Sequence, residues 1–246
     1  MEKDMIYGVN PVLEALRAGV ALKVFISGSR KEDVALIEEL AGKRGAPVQR
    51  VGPSFFETFP KGHQSVAARV RWPALADAGQ MLEAARAHGE PPLIVALDGV
   101  EDPRNLGAIM RSALALGAHG IIIPKRHGAG LSPEAVKASA GAAWGLPVSV
   151  QSNIKYSLDE LKEKGLLICG AQVEGGIAPW QCDLSQPLAL VLGAEQRGLR
   201  RVVAQRCDYL LSVPMRGINS LNVSVGAGIL LFEILRQRNS KKDKKS

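Results

Sequence analysis

The stretch LIVALDGVEDPRNLGAIMRSALALGAHGIIIP, residues 93–124, decides the fold. It opens on the apolar run LIVALD (93–98) and closes on another, GIIIP (120–124). Neither run alternates with polar residues, as expected of strands covered on both faces. Between them a helix is expected to start near Arg104 or Asn105, with Gly117 beyond its end. Strand, helix and strand in this order form a unit whose two strands run parallel.

The same alternation continues downstream. PVSVQ (147–151), LLICGAQ (166–172), LALVLG (188–193) and YLLSVP (209–214) are further short apolar runs, most of them separated by helical stretches. Residues 91–238 are therefore expected to form an α/β unit, a mostly parallel sheet with helices on both faces. Ligands of such sheets bind beyond the carboxyl ends of the strands.

Upstream, residues 1–72 read as a second, smaller α/β unit. YGVNPVLEALRAG (7–19) predicts a helix capped by Asn10, with Pro11 in its first turn and Gly19 closing it. LKVFISG (22–28), PVQRV (47–51) and SVAARV (65–70) read as strands, and KEDVALIEELAGKRG (31–45) as an amphipathic helix. Residues 73–90 form the joint, linker in front and helix behind.

Composition narrows the class. With 246 residues and 46% hydrophobic content, the chain can build a sizeable core. No segment has the roughly 18 consecutive apolar residues of a membrane span. The start, MEKDMIYGVNPV, lacks the pattern of a secretory signal, so a cytoplasmic protein is expected. Cys169, Cys182 and Cys207 are too few and too scattered for a disulfide frame, and His63, His88, His119 and His127 show no ligand spacing; no metal is expected. The net charge is +7, but residues 236–246 contribute +5 of it. The excess lies mainly in a basic tail, read as disordered over 239–246. Charge alone permits RNA binding without arguing for it.

Three turns carry chemistry. In the first, Gly107 and Arg111 lie four residues apart, so Arg111 is expected to lean over the patch that Gly107 leaves bare, near a helix N-terminus that favours anions. Asn105 stands beside them; it also reads as an ordinary cap, and Arg111 as a surface residue. In the second, LALVLGAEQRGLRRVV (188–203), Gly193 would let a ligand approach the backbone, and Glu195 could take a cation or a hydroxyl. In the third, VPMRGINSLNVSVGAGILLFEILRQR (213–238), Ser220 is expected to start a helix containing Gly226 and Gly228, each costing about 1 kcal/mol relative to Ala. Close packing against another backbone would justify them. No GxGxxG and no P-loop is present, which weighs against a dehydrogenase or a nucleotide hydrolase.

Taken together, the three turns resemble the three motifs of the SpoU/TrmH family of RNA ribose 2′-O-methyltransferases. The matching residues are Asn105, Gly107 and Arg111; Gly193, Glu195 and Gly198; and Pro214, Ser220, Leu221, Asn222, Ser224 and Gly228. The resemblance covers residues 92–238. IYGVNPVLEALRAG and GHQSVAARV resemble the small substrate-binding domain, related to a ribosomal-protein L30e-like fold, of members that methylate 23S ribosomal RNA. One departure is Ser65, where the family more often has glycine after His-Gln.

The resemblance implies a deep C-terminal trefoil knot, S-adenosyl-L-methionine as cofactor, a homodimer formed through the catalytic domains, and transfer to the ribose 2′-hydroxyl of a guanosine in 23S rRNA. It implies catalytic or organising roles for Arg111, Asn105, Glu195, Ser220 and Asn222, and cofactor contacts at Leu192, Gly193, Val213, Met215 and Leu221. Methylation of tRNA, or RNA binding without turnover by an assembly factor, are the competing readings.

Overall fold

The computed structural model describes residues 4–28 and 31–243. The first block forms a four-stranded sheet from β1 (Met5–Tyr7), β2 (Ala21–Ile26), β3 (Val48–Arg50) and β4 (Val66–Val70) in the order β1-β4-β2-β3. Its helices are α1 (Val9–Arg17) and α2 (Lys31–Arg44). The three-residue β1 is not apparent in the sequence; it forms because β4 offers an antiparallel edge, pairing Met5 with Arg69 and Tyr7 with Ala67. Asn10 does not cap α1. Gly8, at φ +98°, is the cap residue, and the free N–H of Val9 donates instead to the Gln64 side chain at 3.1 Å. Gln64 and Ser65 both adopt left-handed backbone, φ 52° and 56°. His63 is held between two neighbours. Its ring stacks on Phe56 at 5.0 Å, and its Nδ1 accepts from the Ser65 N–H at 2.9 Å.

The second block begins with α3 (Ala78–Ala87), fixed by a reciprocal cap between Asp77 and Gln80. Six strands follow: β5 (Leu93–Asp98), β6 (Gly120–Pro124), β7 (Val148–Gln151), β8 (Leu167–Ala171), β9 (Leu188–Gly193) and β10 (Tyr209–Leu211). They form one sheet in the order β10-β8-β9-β5-β6-β7, and every neighbouring pair is parallel. Its helices are α4 (Pro103–Ala115), α5 (Pro133–Ala138), α6 (Ala142–Gly145), α7 (Ile154–Glu163), α8 (Arg201–Ala204) and α9 (Val223–Asp243).

Strand alternation sorts these helices. Leu93, Val95 and Leu97 face the layer holding Leu106, Ile109 and Met110 of α4 and Leu230, Leu231 and Ile234 of α9. Ile94 and Ala96 face the layer holding Met81 of α3, Leu158 of α7 and Val203 of α8. Both faces are covered, as the unalternating apolar runs require. The core of the first block, including Ile6, Val12 and Leu16, is continuous with the first of these layers.

The C-terminus departs from expectation. Residues through Asp243 are helical rather than disordered; only 244–246 of the expected tail lie outside the described residues. The reason is local pairing. Arg238 is buried and donates to the carbonyls of Pro91, Pro92 and Gln186 at 2.7, 2.9 and 3.2 Å. Gln237 accepts from the Leu184 N–H at 2.9 Å, and Lys241 pairs with Asp183 at 2.7 Å. Burial lowers the Arg238 pKa to about 10, which still leaves it charged at neutral pH. Among the described residues, no helix is long and apolar enough to cross a membrane.

Candidate active site

Chain direction diverges at the centre of the sheet. From β5 it proceeds to β6 and β7 on one side, and from β9 it passes over β8 to β10 on the other. Such a switch opens a crevice at the carboxyl ends of the two central strands. Beside that crevice, on the β8 side, lies a cavity of about 740 Å³, walled by the ends of β8 and β9, the loop after β10 and the first turns of α9. That size is ordinary for a small-molecule cofactor.

Eight of the ten residues singled out in the sequence line this cavity: Leu192, Gly193, Glu195, Val213, Met215, Ser220, Leu221 and Asn222. The ninth, Asn105, joins them by hydrogen bonds. Its Nδ2 donates to Glu195 at 2.7 Å, and its Oδ1 accepts from Asn222 Nδ2 at 3.1 Å. Asn222 Oδ1 accepts in turn from Ser224 N and Oγ, at 2.9 and 2.6 Å. One polar chain thus ties all three turns together, across 117 residues of sequence between Asn105 and Asn222.

This chain corrects several expectations. Helix α4 starts at Pro103 and is capped by Asp102, whose carboxylate accepts from Arg104 N at 2.8 Å, so Asn105 is not its cap. Helix α9 starts at Val223, with Asn222 in the capping position, and Ser220 stays in the loop at the cavity wall. Glu195 accepts from the amide of Asn105.

The glycines also act differently from expectation. A Cβ on Gly193 would collide with the backbone of Gly198 and Leu199, so the space it leaves is filled by the chain's own turn, closed by paired hydrogen bonds between Ala194 and Gly198. A Cβ on Gly107 would meet Ala135 O and Ala138 Cβ at 2.5 Å; α5 fills the patch that Arg111 was expected to cover. Gly226 has open space beside it and lines the cavity, and Gly228 has only Ser112 Oγ at 3.9 Å, so neither is required by close packing within the chain.

Arg111 is the tenth residue, and the structure does not bring it to the cavity. Six residues after Asn105, it lies roughly 9 Å further along α4 and about 120° around it. It is exposed and lines a separate concavity of about 330 Å³ together with Glu14, Arg17 and Leu114.

Sequence reasoning passed over Asp98 and read Arg200, like Arg197 and Arg201, as a possible RNA contact or an ordinary helix-surface arginine. Asp98, buried at the end of β5, accepts from Arg200 N at 2.8 Å and from its guanidinium at 2.6 and 2.7 Å. This pair anchors the end of the 194–200 turn to the central strand. A carboxylate closing an apolar strand is the one signal that could have shown it.

The cavity fits an adenosyl cofactor on two grounds. Val213, Met215 and Leu221 give it apolar walls for a purine. Among the described residues, the backbone N–H groups of 213–221 donate to no other backbone group, which leaves main-chain donors at the rim. Among the described residues, no cluster of three or more His, Cys, Asp or Glu could hold a metal ion.

A parallel α/β sheet with a cofactor-sized cavity at the carboxyl ends of its strands is the usual setting of a nucleotide-cofactor site. Family comparison narrows it. Residues 92–232 match the model of the SpoU rRNA Methylase family, and residues 5–74 match that of RNA 2′-O ribose methyltransferase substrate binding. YacO of Bacillus subtilis (strain 168), named for the TrmH family and for tRNA/rRNA methyltransferase activity, is 39% identical over 242 residues, 97% of each chain. The SpoU methyltransferase AviRb from Streptomyces viridochromogenes, solved with S-adenosylmethionine (AdoMet), is similar at TM-score 0.81 and 29% identity, over 96% of this chain and 90% of that one. The AdoMet-bound rRNA methyltransferase from Sinorhizobium meliloti is similar at TM-score 0.72 and 27% identity, over 94% and 86%. The chain belongs to the SpoU/TrmH family of S-adenosylmethionine-dependent RNA methyltransferases.

Proposed function

We propose that this protein methylates the ribose 2′-hydroxyl of a guanosine in 23S rRNA, as a homodimer in the cytoplasm. The observation that carries the reading is the Glu195–Asn105–Asn222 bridge on the wall of a cofactor-sized cavity. Leu192, Gly193, Val213, Met215 and Leu221 hold the cofactor. The bound cofactor supplies a methyl group on a sulfonium that leaves readily, so the chain's own task is alignment and proton removal.

Arg111 serves the RNA. A guanidinium, with a pKa above about 12, is a poor base. It binds the phosphate beside the target ribose and lowers the hydroxyl pKa electrostatically. Because Arg111 lies outside the cavity lined by its own chain, the second subunit supplies the guanidinium. Support for a dimer comes from α9. Val225, Ile229 and Phe232 are exposed at helical spacing, and Gly226 and Leu230 on the same helix line the cavity. The first block, an L30e-like unit, holds the rRNA, while Ser220 and Asn222 order the cavity mouth. The domains divide at the joint 73–90. The C-terminal part is a trefoil knot, a reading that rests on the resemblance of its motifs to the family's.

Tritiated methyl transfer from S-adenosylmethionine to 23S rRNA, 16S rRNA and tRNA tests the reading, with mass spectrometry locating the modified ribose. Label in 23S rRNA at a guanosine is expected; label confined to tRNA, or RNA binding without label, overturns it. Arg111→Ala should abolish transfer and leave cofactor affinity near normal. Mixing it with a cavity-blocked Leu192→Trp chain should restore transfer in the mixed dimers.

A further inference from the structure

The carboxyl ends of β9, β5, β6 and β7 lie side by side along one rim of the sheet. Next to the cofactor-sized cavity, a smaller cleft of about 340 Å³ opens between the loops after β5 and β9; Asn105 and Glu195 line it together with Gly99 and Glu101. Further along the rim, the loop after β6 presents Lys125 and Arg126, both exposed. Among the described residues neither forms an ion pair.

That loop is tied down at both ends. Lys125 N donates to Gln151 O of β7 at 2.8 Å, and Ala129 N donates to Val100 O at 2.6 Å. Gly128 has no room for a side chain, since a Cβ would meet Pro124 Cγ at 2.5 Å and Val100 O at 3.3 Å. One strand further along, Asn153 caps α7, and the first turn of that helix carries Tyr156, 64% exposed, with Lys155 Nζ 4.8 Å from its ring centre. A lone surface tyrosine means little. A pinned pair of unpaired cations followed by an exposed aromatic ring with Lys155 on one face, on the rim that holds the reaction cleft, has the make-up of a single-strand track: charge for the backbone and the ring's other face for a base. None of these residues falls in the 5–74 substrate-binding match.

We propose that Lys125, Arg126 and Tyr156 form a track for the single-stranded RNA flanking the target nucleotide, with phosphates on the two cations and a base stacked on the tyrosine. The target nucleotide itself occupies the smaller cleft. The proposal rests on the reading of the chain as an RNA methyltransferase.

The test is equilibrium binding of in vitro transcribed 23S rRNA, 16S rRNA and tRNA to the full-length protein, its Lys125→Ala/Arg126→Ala variant, Tyr156→Ala and Tyr156→Phe, between about 50 and 200 mM salt. For whichever RNA the parent binds most tightly, the double variant should bind about tenfold more weakly, with a log–log salt slope smaller by about 1.4, two single-strand phosphates' worth. Tyr156→Ala should lose about tenfold with its slope unchanged, and Tyr156→Phe should behave as the parent. S-adenosylmethionine affinity should not move in any variant. Affinities and slopes equal to the parent's, or a parent that binds none of the RNAs, overturn the track. A parent that binds RNA through these residues but transfers no methyl group overturns the proposed function and leaves the track standing.

Discussion

Asn222 reaches back 117 residues to donate to Asn105 at 3.1 Å, and Asn105 passes the contact on to Glu195 at 2.7 Å. Each side chain alone is an ordinary loop or helix-end residue. Joined, they fix the first turn of α4, the turn after β9 and the entry to α9 as one wall.

Asn105→Asp tests that wall without changing its shape. Aspartate cannot donate to Glu195 and sets a second carboxylate against it. We expect methyl transfer to fall about a hundredfold, the usual penalty for misplacing reacting groups by an ångström. Cofactor affinity, measured by calorimetry, should be largely retained. An undiminished single-turnover rate would show that the bridge is ornamental.

Gly193→Ala should act through the backbone. The added methyl group meets Gly198 and Leu199 main-chain atoms, which cannot rotate aside. Overpacking of this kind costs about 1–3 kcal/mol. The turn must open, so cofactor affinity is expected to fall at least tenfold, equivalent to about 1.4 kcal/mol, with a melting temperature lower by several degrees. Wild-type cofactor binding in the variant would mean that the turn has slack.

His119 should make stability depend on pH. It is buried, and its Nδ1 accepts from the Leu93 N–H at 3.1 Å, which requires a neutral ring. Burial, reinforced by the nearby Arg238 charge and opposed by Glu90, holds its pKa below 6.5. The unfolded chain therefore binds a proton more readily than the folded one. The contribution is fully present above about pH 6.5 and is lost as pH falls toward the lowered folded value. Thermal melts from pH 7.5 down to 5.5 should show a decline that His119→Asn flattens; parallel curves for the two proteins would exclude His119 as the source.

The six strands of the second block, their parallel arrangement and the burial of both faces were legible in residues 93–214. Those properties follow from runs of adjacent apolar residues, and adjacency is what a sequence records. The segments that build the cavity were legible too, because strand, glycine turn and helix start are each local patterns. Only the tertiary structure decided which partner each polar or small residue meets. Asn105 and Ser220 resemble helix caps, yet Asp102 and Asn222 stand where caps are needed. Gly107 reads as a bare patch for Arg111 and Gly193 as a place where a ligand approaches the backbone, yet α5 and the 198–199 backbone stand where their side chains would be. The basic end reads as a free tail, but three carbonyls at the entries of β5 and β9 hold Arg238. The caps and the Gly193 turn are local contacts set by backbone geometry that residue identity alone does not fix, whereas the Asn105–Asn222 and Arg238 bonds join residues 52 to 147 positions apart and exist only once the sheet has brought those positions together.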